Sequence, residues 1–298
     1  MRHRLIIAAL ALLPWSAGAQ APAADASRLE RIAATGQFVV GHRESTVPFA
    51  YFDQDQQPVG FGVDIARRVF DAVKAELKRP DLKVRYNGVT ATTRLPLMET
   101  KVIDIECGVT TNTAERQQRV AFSNTIYVDA VRIAVPKGSP VRQFADLAGK
   151  RVAVVAGTTI EALVERLARE RNVSLDLVPL NTNLRAAQAL EDGRVDAYVA
   201  AAALILGEIA RSVDPSRFQV VGDPLLVEPY ACVLPKGDAA FKRLVDGVLA
   251  GMMASGEMAK LHDRWFQAPI PPYQRVVGLP LNEATRAAYA APNDRPLQ

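Results

Sequence analysis

The stretch KRVAVVAGTTIEALVERLARE, residues 150–170, reads as one strand, one tight loop and one helix. Residues 150–155 carry the apolar run of a buried strand, Gly157-Thr158-Thr159 makes the loop, and 160–170 has helical character. The alternation continues downstream with a strand at 175–178, a helix at 184–190 and a strand at 195–199. Strands alternating with helices imply parallel sheet covered by helices, the α/β class.

The flanking sequence repeats the pattern. Ser27 is a plausible N-cap for a helix that Gly36 ends, and Phe38-Val39-Val40-Gly41 reads as a strand. A polar turn at 53–57 precedes an amphipathic helix over 64–77, on which Ile65, Val69, Ala72, Val73 and Leu77 recur at helical spacing. Strands follow at 83–86, 103–105 and 131–135, with a helix over 114–120. Beyond Pro235 come two amphipathic helices, 241–254 and 257–266, with no strands of their own to cover. The economical topology is therefore one lobe built from 27–131 plus 234–298, interrupted by an inserted lobe at 132–233. Two segments, near 127–135 and 229–235, would cross between the lobes and form a hinge, with a ligand cleft between the halves.

The chain has 298 residues, enough for two cores. It opens MRHRLIIAALALLPWSAGAQ: a positive start, an apolar run too short to span a bilayer, a proline, and Ala17-Gly18-Ala19 at a small-x-small site. This reads as a cleaved signal peptide, residues 1–19. The leader contains no cysteine, so the expected product is exported and is not a lipoprotein. The formal net charge of +4 falls to +2 once Arg2 and Arg4 are removed. That balance, without a dense basic run, predicts no nucleic-acid partner. The two cysteines, Cys107 and Cys232, are too few for a thiolate metal site. In an oxidising compartment a disulfide is expected, with two buried thiols as the alternative.

Catalytic signatures are absent from the sequence. His42 and His262 show no metal-ligand spacing, and there is no GxSxG, P-loop or HExxH. No catalytic, metal or cofactor site is therefore expected. Arginines are the informative residues. Arg43 follows a strand at the edge where α/β clefts bind ligands, Arg94 opens a short helix, and Arg116 lies early in the helix after Thr110-Thr111-Asn112-Thr113. A guanidinium donates two parallel hydrogen bonds to a carboxylate, and helix N-termini after Thr111 and Thr159 would add a positive field. Converging on one cleft, these groups would select a small acidic ligand. Phe49, Tyr51 and Phe52 could wall the cleft or pack in the core.

Several motifs, taken together, resemble the glutamate/aspartate-binding proteins of bacterial ABC transporters, within extracellular solute-binding protein family 3. These are Gly41-His42-Arg43-Glu44-Ser45, Asp104-Ile105-Glu106-Cys107-Gly108, the run from Thr110 to Gln117, Asp146 to Val154 with Gly157-Thr158-Thr159, Ser255-Gly256-Glu257, Asp263-Arg264-Trp265-Phe266, Pro269-Ile270-Pro271-Pro272 and Pro292-Asn293-Asp294. The resemblance implies a type II, Venus-flytrap periplasmic binding fold, a monomer that hands its ligand to a membrane permease. It implies that Arg116 with Thr111 holds the ligand's α-carboxylate, that Arg43 and Arg94 meet the distal carboxylate, and that Thr159 contacts the ligand from the second lobe. It also supports pairing of Cys107 with Cys232.

Three departures bear on the ligand. The family's ammonium-binding aspartate falls near Ala201, in a run of four alanines; a ligand-contacting histidine is replaced near Asn183; and two small hydroxyl positions read Ala91 and Val109. Arginines retained beside a lost amine partner leave two ligand types open, an acidic amino acid and a dicarboxylate without the amine. Two other functions share the scaffold: a dehydratase-like enzyme acting on acidic ring compounds, and a soluble sensory protein that presents its ligand to a membrane kinase.

Overall fold

The computed structural model describes residues 27–272 and 274–297. The expected leader, 1–19, lies outside them. The first helix, Arg28–Thr35, is defined at both ends by its sequence. Ser27 and Glu30 form a reciprocal capping box, and Gly36 closes the helix at φ 69°. Its polar face is anchored by Asp104, which is fully buried and accepts from Arg28 Nη1 (3.0 Å), from Arg31 Nη2 and from the Val39 amide (2.6 Å). The anchor places the next strand, Gln37–Arg43, in parallel register with Lys83–Val89, so that Arg43 stands opposite Val89 at the C-terminal edge. The helix Phe61–Leu77 covers this pair with Ile65, Val69 and Val73. The helix Ala239–Ala254 joins the same core, where Phe38 packs against both Phe70 and Phe241. Each such aromatic, fully buried, contributes about 1.5–3 kcal/mol of hydrophobic stabilisation.

The second sheet has five strands, in the order Phe218–Leu234, Ala121–Pro136, Ala197–Ala201, Arg151–Val155 and Asp176–Leu180. Only the last three run parallel to one another. The first two are antiparallel, and Ala121–Pro136 is also antiparallel to Ala197–Ala201. The sheet is mixed, where the alternation alone predicted parallel strands. The reason is topological. Ala121–Pro136 carries the chain away from the first sheet and Phe218–Leu234 brings it back, so the two must run in opposite directions. Each is also far longer than its predicted core, at 16 and 17 residues.

The returning strand is tied back to the first half by backbone pairing and by a disulfide. Glu106 and Val233 exchange backbone hydrogen bonds of 3.1 and 2.8 Å, and next to them Cys107 and Cys232 form a disulfide. Elsewhere the halves touch closely. A β-carbon on Gly157, which sits at φ +74°, would lie 2.4 Å from Thr92 Cγ2. The turn therefore needs glycine both for its backbone conformation and for the approach.

Candidate functional site

Between the halves lies a small cavity, lined among others by Arg43, Arg94, Thr111, Thr159, Asn183 and Glu228. Arg43 reaches it from the end of the Gln37–Arg43 strand, and Arg94 from the first position of the helix Arg94–Glu99. Both are buried. Nη1 of Arg43, with Nε and Nη1 of Arg94, has no hydrogen-bond partner among the described residues. Gly108 makes room for this arrangement. A β-carbon there would lie 2.2 Å from Glu106 Oε1 and 3.2 Å from Arg43 Cγ.

Burial, followed by the charge of Arg94, pulls the Arg43 guanidinium down to about 9, with Glu106 opposing. Arg94 is lowered in the same direction by burial. Unpaired buried cations are costly, and an anion bringing two or more acceptor oxygens would relieve both.

The two halves meet at a pair of threonines. Thr111 Oγ1 lies 3.2 Å from Thr159 Oγ1, and Thr159 donates to Glu228 Oε1. Glu228 is buried on the returning strand, and its other oxygen is 3.5 Å from the Tyr230 hydroxyl. Burial raises its carboxyl, while the Thr159 and Thr111 hydroxyls, Arg116 and Arg94 pull the other way. Neither the sequence motifs nor the arginine pattern marked Glu228. Its position inside Glu228-Pro229-Tyr230, at a predicted crossing segment, was the available signal.

Not every expected residue lines the cavity. Arg116 stands behind Thr111, donating from Nη1 to the Thr111 carbonyl at 2.9 Å; burial and then Arg94 lower it to about 10. Its helix is only Ala114–Gln117, capped by the Thr113 hydroxyl, so the positive field expected there is small. The longer helix Thr159–Glu170 is capped by Thr158. Asn183 has its side chain engaged, accepting from Tyr198 Oη at 2.7 Å and donating to the Ser45 carbonyl at 3.4 Å. Ala201 is fully buried away from the cavity, which is lined instead by its neighbour Ala200, with Val199 and Leu204 beside it. Val109 lines the cavity and Ala91 does not.

The aromatic run belongs to the core. Phe49 packs on Phe61, Tyr127, Tyr230 and Phe266, and Tyr51 on Trp265. His42 is buried between Phe52 and Tyr86, and no cluster of metal-ligating side chains occurs among the described residues.

Comparison with known proteins agrees with this architecture. The model of the family "Bacterial extracellular solute-binding proteins, family 3" matches residues 38–268. The chain is 39% identical to the glutamate/aspartate import solute-binding protein of Salmonella typhimurium, over 100% of both chains. Among solved structures it is similar to an ancestral arginine-binding protein bound to arginine, with TM-score 0.70 and 27% identity over 78% of this chain and 98% of that one. It is also similar to an ancestral amino acid-binding protein described as a precursor of cyclohexadienyl dehydratase, with TM-score 0.69 and 28% identity over 80% and 99% of the two chains. These are type II periplasmic binding folds, with a disulfide here joining Cys107 to Cys232. The chain belongs to the bacterial extracellular solute-binding proteins, family 3.

Proposed function

We propose that this protein is the periplasmic capture component of an ABC importer for glutamate, aspartate or a related dicarboxylate. The observation that carries the reading is the pair Arg43 and Arg94, buried side by side with donors unpartnered, in a cavity between two halves. Arg43 and Arg94 would hold the distal carboxylate, and Thr111, with Arg116 behind it, the α-carboxylate. Thr159 and Asn183 contribute from the second lobe. Ala201 would act only through the apolar character of its strand, next to Ala200. The lobes are 27–131 plus 234–298, and 132–233. The hinge is the paired strands Ala121–Pro136 and Phe218–Leu234.

Ligand would stabilise the closed form by bridging the halves, and a membrane permease would recognise that form. The protein acts as a monomer after removal of residues 1–19, without lipid attachment, cofactor or nucleic acid, and it returns its ligand unchanged. Calorimetric titration with glutamate, aspartate, succinate and 2-oxoglutarate tests this, together with mass spectrometry of ligand released from gently purified protein. Submicromolar to micromolar binding of at least one acid is expected. Binding of none, or conversion of a bound acid into product, would reject the reading.

A further inference from the structure

Apart from Glu228 on the returning strand, the second-lobe wall of the cavity carries no acidic side chain. Val155, Ile160, Val199, Ala200 and Leu204 are apolar, and the polar contributions are the hydroxyls of Thr158 and Thr159 and the engaged amide of Asn183. An ammonium group arriving there would find no other charged partner on that wall. Among the residues lining the cavity, the one carboxylate is Glu228.

We propose that Glu228, reaching in from the returning strand, receives the ammonium group of an acidic amino acid, and so selects amino acids over the corresponding amine-free diacids. The inference rests on the proposed capture of an acidic solute.

Three observations support it. The first is placement. Glu228 is held at the Thr111–Thr159 contact, the end of the cavity where the α-substituents of the ligand would lie. A carboxylate has about four lone-pair sites, so the hydroxyls of Thr159, Thr111 and Tyr230 still leave acceptor capacity.

The second is exclusion of the other buried acids. Asp129 pairs with Glu228 across the two strands, but its oxygens accept the amides of Ala130 (2.8 Å) and Ala203 (3.1 Å), and it does not line the cavity. Glu106 accepts from Thr110 at 2.6 Å, lies against Arg43 and Gly108, and is likewise not part of the lining.

The third is charge. Burial already raises the carboxyl of Glu228, and an adjacent ammonium would draw it back toward its ordinary range.

The test compares glutamate with glutarate, and aspartate with succinate, by calorimetry on the wild-type protein, Glu228→Gln and Glu228→Asp. The wild-type protein is expected to prefer each amino acid over its amine-free partner by about ten- to a hundredfold, the worth of one charged hydrogen bond. Glu228→Gln is expected to lose most of that preference while still binding glutarate, and Glu228→Asp to keep part of it. A wild-type protein that binds glutarate as tightly as glutamate overturns the inference without any variant. So does a Glu228→Gln protein that keeps the wild-type ratio. Wild-type protein that binds none of the four acids overturns the proposed function, and this inference with it.

Discussion

A β-carbon built on Gly207 would lie 2.3 Å from the carbonyl oxygen of Val47. Gly207 belongs to the helix Ala202–Arg211, and Val47 to the turn after the Ser45–Thr46 strand, so the approach joins the two halves. In a helix interior, alanine is ordinarily better than glycine by about 0.5–1 kcal/mol. Gly207→Ala should therefore leave thermal stability of the unliganded protein unchanged or slightly raised, while closure is blocked by backbone that cannot move aside. Affinity for the acidic ligand should fall at least about tenfold. Calorimetry paired with thermal unfolding checks this; wild-type affinity in the variant would show that the close approach is not needed for capture.

The buried arginines predict an exchange of stability against function. Arg94 is buried, lowered by desolvation and has two unpartnered nitrogens. Arg94→Met removes that desolvated cation and its repulsion with Arg43. Unliganded stability should hold or rise by about 1 kcal/mol, whereas ligand affinity should fall by about a hundredfold or more. A variant that both unfolds easily and binds normally would contradict the assigned role.

His42 sets an acid limit. Burial lowers its imidazole to about 4 from its ordinary 6.5. The folded state therefore prefers the neutral ring, and its stability is fully present above about pH 6.5. It is lost as pH falls toward 4, because the unfolded chain takes up the proton first. The loss from this one group is on the order of 3 kcal/mol. His42→Phe should lack it, since Phe52 and Tyr86 already form an aromatic setting. Denaturant unfolding of both proteins between pH 7 and 4 measures it, and parallel curves would remove His42 from the explanation.

Loss of the disulfide should be felt mainly in the unfolded chain. The bond joins residues 125 apart in sequence, and chain entropy assigns to such a loop at most about 4–5 kcal/mol. Cys107→Ser with Cys232→Ser should lower the denaturant midpoint by a corresponding amount. Equal midpoints would mean that the backbone pairing, at Glu106–Val233 and Thr110–Ala231, holds the segment without the bond.

The parts of the fold that could be read from sequence were those whose signals are local. Ser27, Gly36 and the run 150–170 carry their own caps, turns and apolar periods, and the structure places elements there. Arg43 and Arg94 could be singled out because strand ends and helix starts are recognisable.

What escaped depends on distant partners. The helix Ala202–Arg211 has no side-chain cap of its own, because Asp129, 74 residues earlier, accepts the Ala203 amide. The long strands were seen only in their apolar parts, since Asn124, Asp129 and Glu228 interrupt the pattern. Asp129 and Glu228 are buried by each other's strand, and Asn124 is tied to Asp246. Glu228 carried only a weak signal for the same reason: alone it reads as a charge before a proline at a crossing segment, and its contact with Thr159 comes only with the fold.

Cys232 stands two positions beyond Tyr230, and Cys107 immediately before Gly108, so their bond pins the returning strand beneath the arginines. Without it, these segments would be joined by backbone pairing and packing. A chain kept among reducing thiols would reach the same contacts from a looser unfolded ensemble, and so hold them by a smaller margin.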